Sequence, residues 1–176
     1  MSRTHLPTLL AIIASVSLGA APALAQPVRE DGKATVTMVS PMSIVKIRDL
    51  DFGTIYMDAT STGGTVVIDP TRPEGSEISV TGAILSGNDG HSAKFGGSPE
   101  RTKKIKIRIP KGTITMTRLG GTETLVVRNF TLDGPDQRTV TASTYFDFRV
   151  GASIDIPAGA AEGAYEGQFE VQVQYP

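Results

Sequence analysis

Gln168-Phe169-Glu170-Val171-Gln172-Val173-Gln174-Tyr175 is the stretch that decides the fold. Phe169, Val171, Val173 and Tyr175 fall on one face; Gln168, Glu170, Gln172 and Gln174 fall on the other. A period of two built from aromatic and β-branched residues describes a strand buried on one side. The segment follows Gly163-Ala164-Tyr165-Glu166-Gly167 and precedes only Pro176. With no later residues to pair with it, its hydrogen-bonding edge is expected to be open, and an open apolar edge invites a strand from another chain.

Upstream, the same period recurs. Met42–Ile47 is rich in β-branched residues, and Leu50-Asp51-Phe52-Gly53-Thr54-Ile55 reads as a strand edge ending in a glycine kink. Thr65–Ile68 is a strand stopped by Asp69-Pro70, and Ile78–Leu85 is a further candidate. Ile105, Ile107 and Ile109 alternate with Lys104, Lys106 and Arg108, a strand with one cationic face. Ile114 and Met116 alternate with threonines, Leu125–Leu132 resumes the pattern after Gly120-Gly121, and Tyr145–Val150 and Ile154-Asp155-Ile156 precede Pro157. Thr60–Gly64, Ser86–Gly90 and Asp133–Asp136 are turns by composition. Ala158–Gly163 could form one helical turn but is too short and glycine-bounded to count as a helix. Many short strands punctuated this regularly predict an all-β antiparallel sandwich, with a barrel as the competing architecture.

The opposite end sets the expected compartment. Arg3 and His5 precede the apolar run Leu9–Leu18, and Ala23-Leu24-Ala25 follows. This is the layout of a secretory signal peptide, and Ser15, Ser17 and Pro22 interrupt it too often for a membrane span. Residues 1–25 are therefore expected to be removed, leaving Gln26–Pro176, or 176 − 25 = 151 residues. That length suits one core-bearing domain over residues 41–176 preceded by an extension, residues 26–40. Without Arg3 the chain carries 16 basic and 18 acidic residues, which gives no drive toward nucleic acid. Cysteine is absent, so disulfides, thiol chemistry and cysteine metal sites are excluded.

Catalysis has little support. His91 is the sole histidine beyond the leader and lies in a polar loop, where solvation is its expected state. Asp49 and Asp51 could share a strand face, but their Asp-Phe-Gly setting reads as structural. Asn88-Asp89-Gly90 lacks the further ligands of a calcium loop. No nucleophile elbow, phosphate loop or dinucleotide fingerprint is present. The chain is expected to be no enzyme and to use no cofactor, metal, nucleic acid or small-molecule substrate. The cationic face around Lys103-Lys104-x-Lys106-x-Arg108 reads as a solvated face that discourages edge pairing; binding an anionic surface polysaccharide is the alternative.

Three motifs in order carry a resemblance: Gly32-Lys33-Ala34-Thr35-Val36-Thr37-Met38, Leu50-Asp51-Phe52-Gly53, and Gly163-x-Tyr165-x-Gly167 through Tyr175. Together with Gly64–Pro70 they resemble the exported β-rich proteins of domain-of-unknown-function family 4402, and are similar to chaperone–usher pilus subunits. The resemblance covers nearly the whole exported chain. It implies an immunoglobulin-like β-sandwich lacking its last strand, completed first by a periplasmic chaperone and then by another subunit handed on through an outer-membrane usher. It also implies residues. Gly32, Ala34, Val36 and Met38 would form the donor strand; Phe169, Val171, Val173 and Tyr175 would line the acceptor edge. The product would be a fimbria on the cell surface. The absence of cysteine departs from pilins that join their first two strands by a disulfide.

Two other readings stay open. Ala34–Met38 could be the first strand of a self-contained sandwich. Such a sandwich would be a secreted binding module, an adhesin or a polysaccharide binder. Against this, the chain has only six Phe and four Tyr, most on alternating strand faces, so a broad sugar platform is not expected. An exported hydrolase is disfavoured by the lack of a nucleophile–base pair.

Overall fold

The alternation read in the sequence reappears as alternating burial along antiparallel strands. A computed structural model of the chain describes residues 44–175. The strands in chain order are β1 (Ile44–Arg48), β2 (Ile55–Tyr56), β3 (Gly63–Ile68), β4 (Ile78–Gly82), β5 (Leu85–Ser86), β6 (Ala93–Gly97) and β7 (Lys103–Arg108). They continue with β8 (Ile114–Arg118), β9 (Thr124–Leu132), β10 (Gln137–Val140), β11 (Phe146–Pro157), β12 (Tyr165–Glu166) and β13 (Gln172–Gln174). No helix occurs among the described residues. The fold is an all-β antiparallel sandwich, as expected.

An eight-stranded sheet runs β1-β6-β11-β9-β8-β12, with β3 and β4 joined to it through β11. A three-stranded sheet runs β10-β7-β13, and β2 pairs with β5 alone. The 12-residue β11 organises the larger sheet. One of its edges pairs first with β6, over Phe146–Val150, and then with β3, over Ser153–Pro157; its other edge pairs with β9. The register with β9 shifts between Gly151 and Ser153, and Asn129 supplies the bulge with a left-handed φ of 54°.

Two apolar clusters fill the molecule. One holds Val66 and Ile68 from β3, Leu125 and Val127 from β9, Ile154 and Ile156 from β11, and Phe52, within the curl of the larger sheet. The other holds Phe148 and Val150 from β11 against Ile105, Ile107, Val140 and Val173 from the smaller sheet. Leu50 and Phe130 touch both clusters. Fully burying a side chain such as Phe148 or Ile105 stabilises the fold by about 1.5–3 kcal/mol.

The Asp-Phe-Gly triplet has a structural purpose. Phe52 enters the core, while the Asp51 carboxylate accepts from Gly53 N–H at 2.8 Å. Gly53 has a φ of 72°, and a Cβ there would lie 2.6 Å from Gly90 N and against the Asp89 carboxylate. That carboxylate accepts from Thr54 N–H and Thr54 Oγ1, each at 2.8 Å.

Two expectations are corrected. The cationic strand β7 is no edge: it is central in its sheet, between β10 and β13, so its charges do not guard an edge. His91 is half-buried rather than solvated, because its backbone exchanges hydrogen bonds with Asp51 at 2.9 and 2.7 Å.

Candidate functional site

The closing segment crosses from one sheet to the other. Tyr165 and Glu166 pair with Arg118 and Thr117 of β8 in the larger sheet. Gly167 then passes so close to β8 that a Cβ would lie 2.9 Å from Thr115 O. By Gln172 the chain has joined the smaller sheet, with Gln172 opposite Arg108, Val173 opposite Ile107 and Gln174 opposite Lys106. Extending that register backward sets Glu170 opposite Pro110. Proline has no N–H to offer a ladder, so regular pairing begins only at Gln172. The unbroken strand expected from residue 168 is therefore laddered only over Gln172–Gln174. Beside the unladdered part lies a cleft of about 370 Å³ whose lining includes Ile109, Pro110, Ile114 and Phe169.

The four expected acceptor residues share one face. Val173 is buried, and Phe169, Val171 and Tyr175 are half-buried; all four pack on the second apolar cluster. The Phe169 ring meets Phe95 edge-on at 6.5 Å and Phe130 at 5.3 Å, while Phe95 stacks on Phe148 at 5.4 Å. Lys103 Nζ sits 4.1 Å above the Tyr175 ring, a cation–π contact. On the opposite face Gln172 Nε2 donates to Glu170 Oε1 at 2.8 Å, and Gln174 Nε2 to Gln172 Oε1 at 3.3 Å. Among the described residues β13 pairs on one side only, with β7. A strand so placed has backbone groups along its second edge that can take an added strand, with alternating apolar side chains beside them. The expected donor residues Gly32, Ala34, Val36 and Met38, and the leader, lie outside the described residues.

A second centre escaped sequence reading. Glu77 is fully buried and bonded to Ser92 by both Oγ and, at 3.3 Å, N–H. Arg149 Nη1 donates to it at 2.9 Å, and Arg48 Nη2 lies 3.5 Å away. Arg149 N–H also donates to Asp133 at 2.9 Å, and Arg48 Nε donates to Ser92 O at 3.1 Å. The cluster ties β1, β6 and β11 to the loop after β3. Outside it Lys94 bridges Glu74 and Asp147, each at 3.1 Å. The hydrogen bond from Lys94 holds the Glu74 carboxyl below its ordinary range, and the same partnership raises Lys94.

No catalytic set emerges among the described residues. Asp49 pairs with Lys46 at 2.6 Å, and the Asp51 carboxylate accepts from Gly53 N–H at 2.8 Å, so the two carboxylates have separate partners. No group of three His, Asp or Glu side chains is arranged to hold a metal ion among the described residues.

A β-sandwich whose strand β13 lies at a sheet edge among the described residues is thus the class of protein that fold and site define. The chain belongs to the family described as Domain of unknown function (DUF4402), whose model matches residues 42–175. No curated protein and no solved structure matches the chain.

Proposed function

We propose that this protein is a structural subunit of a secreted surface filament, joined to its neighbours by strand donation. The observation that carries the reading is that, among the described residues, β13 stands at the edge of the smaller sheet, with Phe169, Val171 and Tyr175 only half-buried beside it. A donated strand would hydrogen-bond to that edge and cover those side chains. The segment proposed to do so is Gly32–Met38 of another copy, with Ala34, Val36 and Met38 facing inward. Burying one Val and one Met contributes about 1.5–3 kcal/mol each, with less from Ala, before backbone pairing is added. Because each copy gives one strand and receives one, the contact is head-to-tail and builds an open filament rather than a ring.

The same reading makes the protein exported and non-enzymatic. A periplasmic chaperone would cover the β13 edge in transit, and an outer-membrane usher would oversee the exchange. The test is deletion of residues 26–38 from the exported chain. The truncated subunit is expected to keep its acceptor edge, to cap one end of a wild-type polymer, and to form no polymer alone. Normal polymerisation of the truncated subunit would remove Gly32–Met38 from the role of donor.

A further inference from the structure

The outer face of the smaller sheet carries chemistry that strand donation does not use. Ile105 and Ile107 of β7 are buried, so Lys104, Lys106 and Arg108 project from the opposite, uncovered face. Successive members of that row are about 7 Å apart, twice the rise per residue of a strand. Neighbouring strands flank the row with neutral donors and acceptors, and Glu170, bonded to Gln172, is the carboxylate at the end of that face. Gln137 and Thr139 of β10 lie opposite Lys106 and Lys104, and Gln174 and Gln172 of β13 lie opposite Lys106 and Arg108. All four flanking side chains are exposed.

The charge is concentrated there. Arg101–Lys111 contains six basic residues and no acidic one, out of 17 basic and 18 acidic in the chain. The remainder thus has 17 − 6 = 11 basic against 18 acidic residues, a net charge of −7. A cationic stripe on an otherwise anionic molecule orients an anionic partner to one face. Among the described residues neither Lys104 nor Arg108 is in an ion pair; Lys106 has Asp136 at 3.9 Å.

The partner's chemistry follows from what surrounds the cations. Single-stranded nucleic acid binds through exposed aromatic rings as well as charge, and a membrane surface needs apolar side chains between the cations. This face offers neither: the exposed aromatics Tyr56 and Tyr145 belong to β2 and to the segment before β11. Lysine and arginine for carboxylates, with glutamine and threonine for hydroxyls, are the complement of an acidic sugar chain. We infer that the outer face of β10-β7-β13 binds a carboxylated polysaccharide, with Lys104, Lys106 and Arg108 on its carboxylates. This surface is separate from the inward face of β13 and does not rest on the filament reading.

The experiment uses the whole exported chain and alginate, a polyuronate, as probe, with dextran as the neutral control and oligo-dT and phosphatidylglycerol vesicles as other anions. Wild type is expected to be retained by alginate and not by dextran, and to be released as salt shortens the screening length. The triple variant Lys104→Gln, Lys106→Gln, Arg108→Gln should bind alginate about tenfold or more weakly. A control triple of equal charge change elsewhere, Lys46→Gln, Arg72→Gln, Arg118→Gln, should stay within about twofold. Lys104→Glu alone, at an exposed position, serves if the triple variant fails to fold, and should weaken binding in the same direction. No retention on alginate, equal losses in the two triples, or a preference for oligo-dT or vesicles over alginate would each overturn the assignment.

Discussion

Replacing Glu77 by alanine should be among the most damaging single changes outside the apolar core. It leaves Arg149 and Arg48 without their shared buried carboxylate and orphans the Ser92 hydroxyl. Breaking a buried ion pair from one side costs about 3–5 kcal/mol. The arginine side chains are 18% and 27% exposed, so both can turn partly toward water, and Arg149 retains Asp133. The lower end, about 3 kcal/mol, is therefore expected. For a domain of this size that corresponds to a fall of roughly 10 °C in Tm. Glu77→Gln keeps the side-chain shape and one acceptor oxygen for the Ser92 hydroxyl and Arg149, but sets an amide donor against Ser92 N–H and removes the charge, so it should fall between wild type and alanine. Urea and thermal unfolding of residues 26–176, followed by circular dichroism, provide the assay. A loss below about 1 kcal/mol for Glu77→Ala, the scale of an ordinary surface change, would refute the reasoning.

Gly53→Ala should cost about 2–4 kcal/mol, combining left-handed backbone strain with displacement of Asp89 from Thr54; an unchanged urea midpoint would contradict it. Acid should destabilise the fold. Glu123 is held at about 2, from an ordinary 4.5, chiefly by its hydrogen bond from Arg118. Asp69, Asp89 and Asp155 are likewise lowered, through Thr71, Thr54 and Arg128 respectively. Groups lowered in the folded state contribute stability above their unfolded pKa and lose it as pH falls through the folded one. Tm should thus change little on these groups' account from pH 7 to about 5, then fall below the ordinary carboxylate range. A Tm that rises on acidification from pH 5 to 3 would contradict those assignments.

Much of the strand content was legible because period two is local. Phe169, Val171, Val173 and Tyr175 turn inward as their spacing requires, and Ile105 and Ile107 do the same. β11 was read as two pieces because Gly151-Ala152-Ser153 interrupts its bulky residues. The cause is contact: a Cβ on Gly151 would lie 2.6 Å from Pro70 Cδ and would strike Ile68 O. β6 and β10 were missed because Ala93-Lys94-Phe95-Gly96-Gly97 and Gln137-Arg138-Thr139-Val140 have weak strand character of their own. They are strands because β1 and β11 flank the first and β7 pairs with the second. Glu77 could not be read at all: its meaning comes from Arg149, 72 residues away, and from Ser92 and Arg48. The apolar face of Phe169, Val171, Val173 and Tyr175 was visible as a pattern; that it ladders only over Gln172–Gln174 depends on Pro110, whose place opposite Glu170 only the register reveals.

The central claim is that the β13 edge receives a strand from another copy. Its most direct test is the size of residues 26–176 expressed alone, measured by light scattering with and without a peptide of residues 26–40. The expected result is a ladder of oligomers that survives mild denaturant, or a monomer that aggregates until the peptide is added and then unfolds at higher temperature. A stable, cooperatively unfolding monomer indifferent to the peptide would contradict it and would mean that the sandwich closes on itself.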